Sequence, residues 1–413
     1  MTFLSLFGTY GWTKALGIWA VAIVLGDFLI TAFTILYQRF WYDRVFRKRY
    51  SESFTPRCCV ILPCKGIPKD FESNLKAFLD LDYPDFKLIF ALESREDPAF
   101  SIISGLILDN PKASIVIAGL ATQCAQKNHN LLAAISNAHD PEVYVFADAD
   151  ICPDKQWLRE LVLPLSDPDV TVTTGFRWLT AVKAKTSDYV HTYINIFLYV
   201  LLTFINFAGG TFLWGGSMAI RKKDFDDLKV RDRWSNAVVD DNSLSQVIMK
   251  NSRRSVVVPA CITSSDDLLP SVGQGIVWFT RQIMFLKSYE KAVWFFLLLP
   301  LVLSALFLFL WLPIAAIASR GSPAVFLQIG GGASIIFFVG ELLTVSMYPL
   351  LGSVPKFHKF LILQPFMRTT HIISSLRTVY TNKVIWSGVK YHLTFTGKVS
   401  KVERLKPKEK PPC

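Results

Sequence analysis

Long, almost uncharged stretches constrain the fold of this chain more than any other feature of its sequence. Leu16–Tyr37 contains a single charged residue, Asp27. Val293–Ala318 contains none, and Ala324–Leu351 contains only Glu341. Each stretch is long enough to cross the roughly 30 Å hydrocarbon core of a bilayer as a helix, and the first is too long for the apolar core of a signal peptide. The sequence therefore predicts three membrane helices. The two acids inside them are candidates for function, and the alternative is that either faces a polar partner among the helices.

Basic residues follow the first of these segments. The stretch QRFWYDRVFRKRY contains Arg39, Arg44, Arg47, Lys48 and Arg49. Because the cytoplasmic flanks of membrane helices are enriched in lysine and arginine, this bias predicts that the middle of the chain is cytoplasmic. Two further crossings would leave the basic tail VERLKPKEKPPC on the same side, with the N-terminus outside.

This topology predicts four parts of the chain. A membrane helix with its basic flank occupies residues 1–50, and an α/β domain occupies residues 51–290. Two membrane helices follow at 291–352, and 353–413 contain an interfacial helix and the basic tail. The interfacial helix is KFLILQPFMRTTHIISSLRTVY, in which basic residues are spaced along an apolar background.

Charge and cysteine content narrow the choice of partners. The net charge of +11 suits a protein that lies beside anionic lipid and binds an anionic substrate. Nucleic acid is a poor alternative, because the basic residues concentrate at the membrane flanks. The seven cysteines form no C-x-x-C pair, which favours reduced thiols in a cytoplasmic domain.

Short β-rich runs alternate with amphipathic sequence between about Pro56 and Tyr289, which predicts βαβ units and a mostly parallel sheet. Ligands bind beyond the carboxyl ends of the strands in such sheets. Polar clusters follow three of the runs: PCKG, ESREDP and DADICPD. A nucleotide-type site is therefore favoured over a purely structural role. The four runs are Cys58 to Leu62, Lys87 to Leu92, Ser114 to Gly119 and Val143 to Ala147.

Tyr189 to Leu213 is a further apolar stretch that is long enough to span a membrane. It contains Asn195, Asn206 and two adjacent glycines, and both of its flanks belong to the α/β domain. A span here would place the halves of that domain on opposite sides of the membrane. We expect instead a helix in or near the interface, where a lipid acceptor could reach it.

Two carboxylates, Asp148 and Asp150, stand two positions apart at the exit of the fourth run. Such a pair can bind a hard divalent cation, which can in turn bridge a diphosphate. The structural alternative is a helix N-cap, and Asp154 fits that alternative better than either.

Two segments further along the chain carry other candidates. Asp240 and Asp241 precede a helical pattern, so that an acid here is either a general base or an N-cap. GQGIVWFTRQIMFLK places Trp278, Arg281 and Gln282 on a basic amphipathic helix. Arg281 could bind phosphate and Trp278 could bound an acceptor site; the alternative is an aromatic and basic anchor at the membrane interface.

In combination these segments resemble the inverting glycosyltransferases of family 2 and the related family 21, the ceramide glucosyltransferases, which have a GT-A fold. VILPCKG and the acidic segment ESREDPA resemble the opening strand, the K-G motif and the uridine-contacting segment of that family. QKNHNLL resembles its lysine–asparagine segment, FADADI its metal-binding segment, LWGGSMAIRKKDF its acceptor-side segment and VVDDNSL its E-D pair.

The resemblance implies a UDP-sugar donor, UDP-glucose or a near relative, and a divalent metal, Mn²⁺ or Mg²⁺. It implies that Asp148 lies on the metal side and that Asp241 is the catalytic base that takes the proton of a lipid hydroxyl. Asp150, where many ceramide glucosyltransferases have a small residue, completes the D-x-D pair as the second metal ligand that its spacing suggests. The remaining residues would bind the donor or frame the diphosphate and the acceptor: Lys65, Glu93, Asp97, Lys127, Trp278, Arg281 and Gln282.

The chain departs from the family pattern in the acidic segment and in the closing motif. Ser94 stands where the family has its first aspartate, so that the uridine contact would shift to Glu93 or Glu96. The closing Q/R-x-x-R-W motif reads W-F-T-R-Q, which retains Arg281 but alters its neighbours. VIWSGVKYHL resembles the terminal W-x-G-x-x-Y segment of related membrane transferases.

The favoured function is therefore transfer of a hexose, preferably glucose, to the hydroxyl of a ceramide-like membrane lipid. Diacylglycerol and hopanoid or sterol-type lipids are alternative acceptors. A processive polysaccharide synthase is disfavoured by the number of spans and by the altered closing motif. A membrane-anchored scaffold with a degenerate transferase domain is disfavoured by the intact aspartates.

Overall fold

A seven-stranded mixed sheet forms the centre of the molecule. The structure, a computed structural model, describes residues 11–179, 185–265, 270–354 and 356–405. The strands follow the spatial order β3-β2-β1-β4-β6-β5-β7. They are β1 Cys58–Pro63, β2 Phe86–Leu92, β3 Ala113–Ile117, β4 Val143–Ala147, β5 Val170–Leu179, β6 Ser217–Arg221 and β7 Arg254–Ser265.

The first four strands are parallel, and they coincide with the four β-rich runs of the sequence. β6 is antiparallel to both of its neighbours, β4 and β5, whereas β5 and β7 are parallel. The prediction of a mostly parallel α/β sheet is confirmed. Because the carboxyl ends of β1 and β4 lie side by side, the polar loops after them meet at one edge.

Fifteen α-helices within the described residues surround the sheet or extend from it. They are α1 Gly11–Leu36, α2 Phe71–Leu79, α3 Ala99–Ile107, α4 Gln126–Ser136, α5 Trp157–Val162, α6 Thr186–Phe207, α7 Lys222–Asp227, α8 Val230–Trp234, α9 Asp241–Lys250, α10 Val272–Tyr289, α11 Lys291–Leu306, α12 Leu312–Ala318, α13 Pro323–Phe326, α14 Gly332–Ser346 and α15 Phe357–Val379.

The sheet is buried on both faces. Along β1, Val60 and Leu62 point to one face, where they pack in the same core as α5, α6 and α10. Cys59 and Ile61 point to the opposite face, which α4, α8 and α9 cover. This alternation explains why the strand reads as a continuous apolar run.

The predicted membrane segments are helical. Among the described residues, the helices long and apolar enough to span a bilayer are Val21–Arg49, Thr186–Phe207 and Gly332–Leu350. The second predicted span corresponds to α11 and α12, which a π-helical turn at Phe307–Trp311 joins without a break. α1 packs closely on α14 at Gly340, because glycine has no side chain there. A β-carbon at this position would lie only 1.8 Å from Val24 Cγ1.

Helix α6 lies along the sheet. The Asn195 side chain accepts a hydrogen bond from the Leu179 amide (3.0 Å) and donates one to the Arg177 carbonyl (2.9 Å), at the end of β5. At the C-terminal end of the helix, Asn206 donates to the Phe212 carbonyl at 2.6 Å. Since β5 and β6, on either side of α6, are neighbours in one sheet, a membrane crossing at α6 is incompatible with this fold.

The C-terminal segment contains a small sheet that the sequence did not predict. Its antiparallel strands are β8 Lys383–Trp386, β9 Val389–Leu393 and β10 Val399–Arg404. Val384, Val389 and Tyr391 pack with Val238 and Phe285, so that this sheet covers the central domain. The end of the predicted basic tail, after Leu405, lies outside the described residues.

Candidate active site

Two adjoining clefts open where the loops after β1 and β4 meet. The outer cleft lies beside β1 and has a cavity volume of about 240 Å³, and the inner cleft lies beside α6 and α10 and has one of about 200 Å³. Lys127, Asp148, Asp150 and Trp386 line both. The outer cleft also includes Cys64, Lys65, Gln126, Asn130 and Tyr391, and the inner one Arg177, Trp214, Asp240, Asp241, Trp278, Arg281 and Gln282.

Lys127 connects the acidic residues of the inner cleft. It lies in the first turn of α4, and its Nζ is 2.8 Å from Asp148 Oδ1 and 3.1 Å from Asp240 Oδ2. The same Nζ is 3.4 Å from the Gly215 carbonyl oxygen. One lysine thus joins the exit of β4, the start of α9 and the loop before β6.

Three carboxyl groups, those of Asp148, Asp240 and Asp241, act on the single cation Lys127. Burial raises the pKa of Asp240 to about 7, although Lys127 opposes the effect. Burial also raises the pKa of Asp241, against the lowering effects of Lys127 and the Gly215 amide. Burial alone would lower the pKa of Lys127, but Asp148 and Asp240 outweigh it and raise the pKa. A proton or a further cation is therefore favoured between these carboxyl groups.

The two adjacent aspartates before α9 have different environments. Asp240 is buried and makes no hydrogen bond to the helix through its side chain. The half-buried Asp241 accepts hydrogen bonds from the amides of Gly215 (2.9 Å) and Asn242 (2.6 Å) while it faces the inner cleft. Of the pair, Asp241 therefore binds a backbone amide of the helix, and Asp240 binds Lys127.

The double glycine before β6 allows this close approach. A β-carbon at Gly215 would lie 2.5 Å from Asp240 Oδ2. One at Gly216 would lie 2.8 Å from Asp148 Oδ2 and 2.2 Å from the Trp214 ring. A side chain at either Gly215 or Gly216 would displace the neighbouring carboxylates.

Asp148 and Asp150 of the D-x-D segment both line the two clefts. Arg177 of β5 forms an ion pair with Asp150, and Lys127 pairs with Asp148. No group of three acidic, histidine or cysteine side chains that could hold a metal occurs within the described ranges. A pair of carboxylates nevertheless fits Mg²⁺ or Mn²⁺, which bind proteins through one or two carboxylates and take further oxygens from phosphate.

Asp154 caps the turn before α5 and not α5 itself, whose N-cap residue is Gln156. Its carboxylate accepts a hydrogen bond from the Gln156 amide at 2.8 Å, and its carbonyl accepts one from the Trp157 amide at 3.1 Å. The third aspartate of DADICPD therefore caps the turn that leads into α5.

The acidic segment after β2 supports the wall of the outer cleft. Glu93 lies 3.0 Å from Lys65 Nζ and 3.3 Å from a guanidinium nitrogen of Arg404. Asp97 accepts hydrogen bonds from the amides of Gly66 and Ala99, both at 2.9 Å. Lys65 lines the cleft, and Glu93 and Asp97 stabilise the loop that carries it through these contacts.

Ser94 hydrogen-bonds within its own turn. Its hydroxyl oxygen accepts a hydrogen bond from the Glu96 amide at 3.1 Å. The residue that replaces the first aspartate of the family pattern thus stabilises the local backbone.

The three residues of the altered closing motif lie together on one side of the inner cleft. Trp278, Arg281 and Gln282 all line it. The Arg281 guanidinium lies 5.3 Å from the centre of the Trp386 ring. Burial, together with nearby Arg177, lowers the pKa of Arg281 to about 10. Within the described residues Arg281 Nε has no hydrogen-bond partner, which leaves a buried donor for an anion.

Several residues of the clefts were not identified from the sequence. Arg177 could have been noticed as a basic residue inside an apolar strand, TVTTGFRWL. Trp386 belongs to the VIWSGVKYHL segment, which resembled a terminal motif of related transferases but was given no role at the site. Arg404 carried no local signal, because its small sheet reaches the site only through packing. Arg404 also hydrogen-bonds Gln126 at 2.8 Å, which closes the outer cleft on the side of β10.

The sequence model of glycosyl transferase family 21 matches residues 24–399. The chain belongs to this family. The resemblance that the motif order indicated is therefore confirmed, and it extends from the first membrane helix to the C-terminal sheet.

Curated relatives match this family 21 chain over a limited region. Ceramide glucosyltransferase 1 of Caenorhabditis elegans is 30% identical over 104 residues, 25% of this chain and 22% of the relative. Ceramide glucosyltransferase of Komagataella phaffii is 31% identical over 99 residues, 23% of this chain and 19% of the relative. The chain thus matches about a fifth of the length of these relatives.

A solved structure supports the fold of this family 21 member. Mannosyltransferase PcManGT from Pyrobaculum calidifontis, in complex with GDP-Man and Mn²⁺, superimposes with a TM-score of 0.50 at 18% identity. The match covers 88% of this chain and 99% of that protein. The predicted GT-A fold is confirmed.

Proposed function

We propose that this family 21 protein transfers a hexose, glucose in the first instance, from a UDP-sugar to the hydroxyl of a ceramide-like membrane lipid, with inversion. The observation that carries the proposal is the inner cleft. There Asp148, Asp241 and Arg281 face one space beside helices that lead into the membrane segments. The ceramide glucosyltransferases among the relatives support a ceramide-like acceptor.

The donor would occupy both clefts. Asp148 and Asp150 would hold Mn²⁺ or Mg²⁺, which neutralises charge on a departing diphosphate when bound. Arg281 offers its unpartnered Nε–H to the same diphosphate. Lys65 would contact the nucleotide in the outer cleft, and Glu93 and Asp97 would keep its loop in position.

The acceptor would react in the inner cleft. Asp241 takes the proton from the lipid hydroxyl, whose oxygen attacks the anomeric carbon. The bond from that carbon to the diphosphate oxygen breaks, and its electron pair leaves with UDP. The backbone amides of Gly215 and Asn242 fix the Asp241 carboxylate, and Lys127 holds Asp240 next to it. Attack from the face opposite the diphosphate inverts the configuration.

The catalytic domain would lie on the cytoplasmic side. Basic residues crowd the segment after α1, where the π-helical stretch Tyr37–Phe46 leads towards the sheet. The domain limits inferred from the sequence, 51–290 for the catalytic part and 291–352 for the two later membrane helices, belong to this proposal.

The test is a transfer assay with the purified full chain in detergent. Mn²⁺ or Mg²⁺, a panel of UDP-sugars and the candidate lipids are supplied together: ceramide, diacylglycerol and a sterol. UDP release and lipid mass are followed in the same tube, with Asp241→Asn alongside. A lipid that gains one hexose, only with the unaltered protein, supports the proposal. A long polymer, or no donor consumption with any metal, contradicts it.

A further inference from the structure

Trp386 lines both the outer and the inner cleft, and it comes from the C-terminal sheet. It is the last residue of β8 and pairs with Val389, the first residue of β9. Ser387 and Gly388, which lie between them, have φ angles of 48° and 77°. Positive φ at both central residues is typical of the tight two-residue turn that joins twisted antiparallel strands. The turn therefore ends β8 at the point where its last side chain reaches the clefts.

The Trp386 ring packs against one turn of α10. The Arg281 guanidinium lies 5.3 Å from the centre of this ring, and the centre of the Phe285 ring lies 6.4 Å from it. Arg281 and Phe285 are one helical turn apart, so that they stand on the same face of α10. A guanidinium within about 6 Å of a tryptophan ring is attracted by the negative face of the ring. The end of β8 therefore contacts the one arginine of α10 that lines the inner cleft.

The surroundings of Arg281 favour an aromatic partner of this kind. Burial and the nearby cation Arg177 both act against its positive charge. Within the described ranges its Nε makes no hydrogen bond. A carboxylate partner would occupy the N–H groups of the guanidinium, whereas an aromatic ring attracts the charge through its face and leaves those groups free. Trp386 thus stabilises Arg281 while the donors of Arg281 remain available to an anion.

The strand that carries Trp386 is fixed to the central domain on both sides. Just before β8, the Thr381 carbonyl accepts a hydrogen bond from Lys287 Nζ at 2.9 Å. On the far strand of the small sheet, Arg404 hydrogen-bonds Gln126 at 2.8 Å. Groups that are held in place before a ligand arrives cost little further ordering when it binds. The ring is therefore a preformed support for the guanidinium.

From this geometry we propose that Trp386 is the positioning residue for Arg281 and that it directs the free N–H groups of the guanidinium to the diphosphate of the donor. The inference rests on the proposed function and adds the residue that orients its diphosphate-binding arginine. In this role the ring acts through Arg281 and not through a contact of its own with the diphosphate. The small C-terminal sheet is then part of the donor site, because it carries the ring.

Matched variants of two tryptophans test this role. Trp386→Leu removes the ring beside Arg281, and Trp386→Phe retains an aromatic face. Trp294→Leu is the control, because Trp294 packs against another cation, Lys287, at 5.7 Å and lines neither the outer nor the inner cleft. The dissociation constants of UDP and of uridine are measured by titration of each purified full chain in detergent with Mn²⁺. Uridine lacks the diphosphate, so that its binding reports on the rest of the donor site.

We expect Trp386→Leu to weaken UDP binding about tenfold and uridine binding by less than about twofold, since a desolvated cation–π contact makes a contribution of this size. Trp386→Phe should regain most of the affinity for UDP. Trp294→Leu should bind both ligands as the unaltered protein does. Equal losses for UDP and uridine in Trp386→Leu would overturn the inference, because they would show that the ring only supports the wall of the cleft.

A double variant tests whether the ring acts through the arginine. Arg281→Met should weaken UDP binding at least as much as Trp386→Leu does, and Arg281→Met/Trp386→Leu should weaken it no further. Losses that add in full would overturn the inference.

Transfer by the unaltered protein separates this inference from the proposed function. If the unaltered protein bound UDP and the variants behaved as expected, but no lipid were glycosylated, the proposed acceptor would fail and the positioning of Arg281 would stand. If UDP did not bind the unaltered protein, both would be overturned.

Discussion

Lys127 Nζ lies 3.1 Å from the carboxylate of Asp240, whose side chain is only 1% exposed. The sequence suggested Lys127 as a donor-binding residue and left Asp240 as a neighbour of the base. In the structure this lysine is the cation that offsets the buried acid and also contacts Asp148 at 2.8 Å. The acidic loops after β4 and before α9 are therefore held together by one side chain.

Replacing this lysine should affect both stability and activity. In Lys127→Met, Asp148 and Asp240 lose their shared cation, and removing one partner of a buried ion pair costs about 3–5 kcal/mol. We expect a lower melting temperature and a loss of transfer of about 100-fold, since displaced catalytic groups are no longer aligned. Thermal unfolding in detergent and the UDP-release assay measure the two effects.

The double variant Lys127→Met/Asp240→Asn separates the effect on stability from the effect on activity. It removes the more buried of the two uncompensated charges, Asp240, and leaves the more exposed Asp148, so that stability should recover in large part while activity stays low. If the single variant melted like the unaltered protein, the pairing would contribute nothing to stability.

The buried carboxyl groups should make transfer depend on pH. Burial raises the pKa of Asp241 above the ordinary 3.8 of an aspartate. A base must be deprotonated to act, so we expect kcat/KM to fall about tenfold per pH unit below an apparent pKa that lies above that value. Asp241→Asn should lower transfer by about 10²–10⁴-fold at every pH and remove this acidic limb, with UDP binding retained. A rate that stays constant down to pH 4 would contradict the role of Asp241.

Asp240 should make the folded protein less stable as the pH rises, whereas an ordinary paired carboxylate makes it more stable. Its pKa rises from 3.8 to about 7 on burial, so that between these values the folded chain binds more protons than the unfolded chain. The stabilisation is complete below about pH 4 and is lost as the pH rises through 7. In Asp240→Asn this part of the pH dependence should disappear from the melting curve.

The sequence predicted the parts of this molecule that depend on local pattern. The four parallel strands followed from short apolar runs, and Asp148, Asp150, Asp241 and Arg281 followed from motif order. What it did not predict depends on contacts between distant segments. Arg404 lies 311 residues beyond its partner Glu93, and β8–β10 are short strands with mixed polarity. No local periodicity indicates that such a sheet closes a cleft, because its position is set by packing against Val238 and Phe285.

Transfer should depend on a metal that the two carboxylates of the D-x-D segment hold, and Asp154 should have no part in holding it. We expect a chelator to abolish transfer and Mn²⁺ to restore it. Asp148→Asn should raise the Mn²⁺ concentration for half-maximal activity by about tenfold or more. Asp154→Asn is the matched control, because Asp154 caps a turn through the Gln156 amide at 2.8 Å. An equal Mn²⁺ requirement in both variants would contradict a metal at Asp148.

The ion pair among the membrane helices should be needed for stability and not for donor binding. Arg368 and Glu341 are both buried, 2.8 Å apart, and Gln364 completes the contact. Arg368→Met leaves the Glu341 carboxylate in an apolar setting without its cation, which costs about 3–5 kcal/mol. We expect a clear fall in melting temperature in detergent, and a smaller one in Arg368→Met/Glu341→Gln, because two neutral side chains need no counter-charge. UDP binding, measured at a temperature where both variants remain folded, should stay unchanged, since neither residue lines the outer or inner cleft. A double variant that melts below the single one would show that the pair contributes more than charge compensation at the junction of α14 and α15.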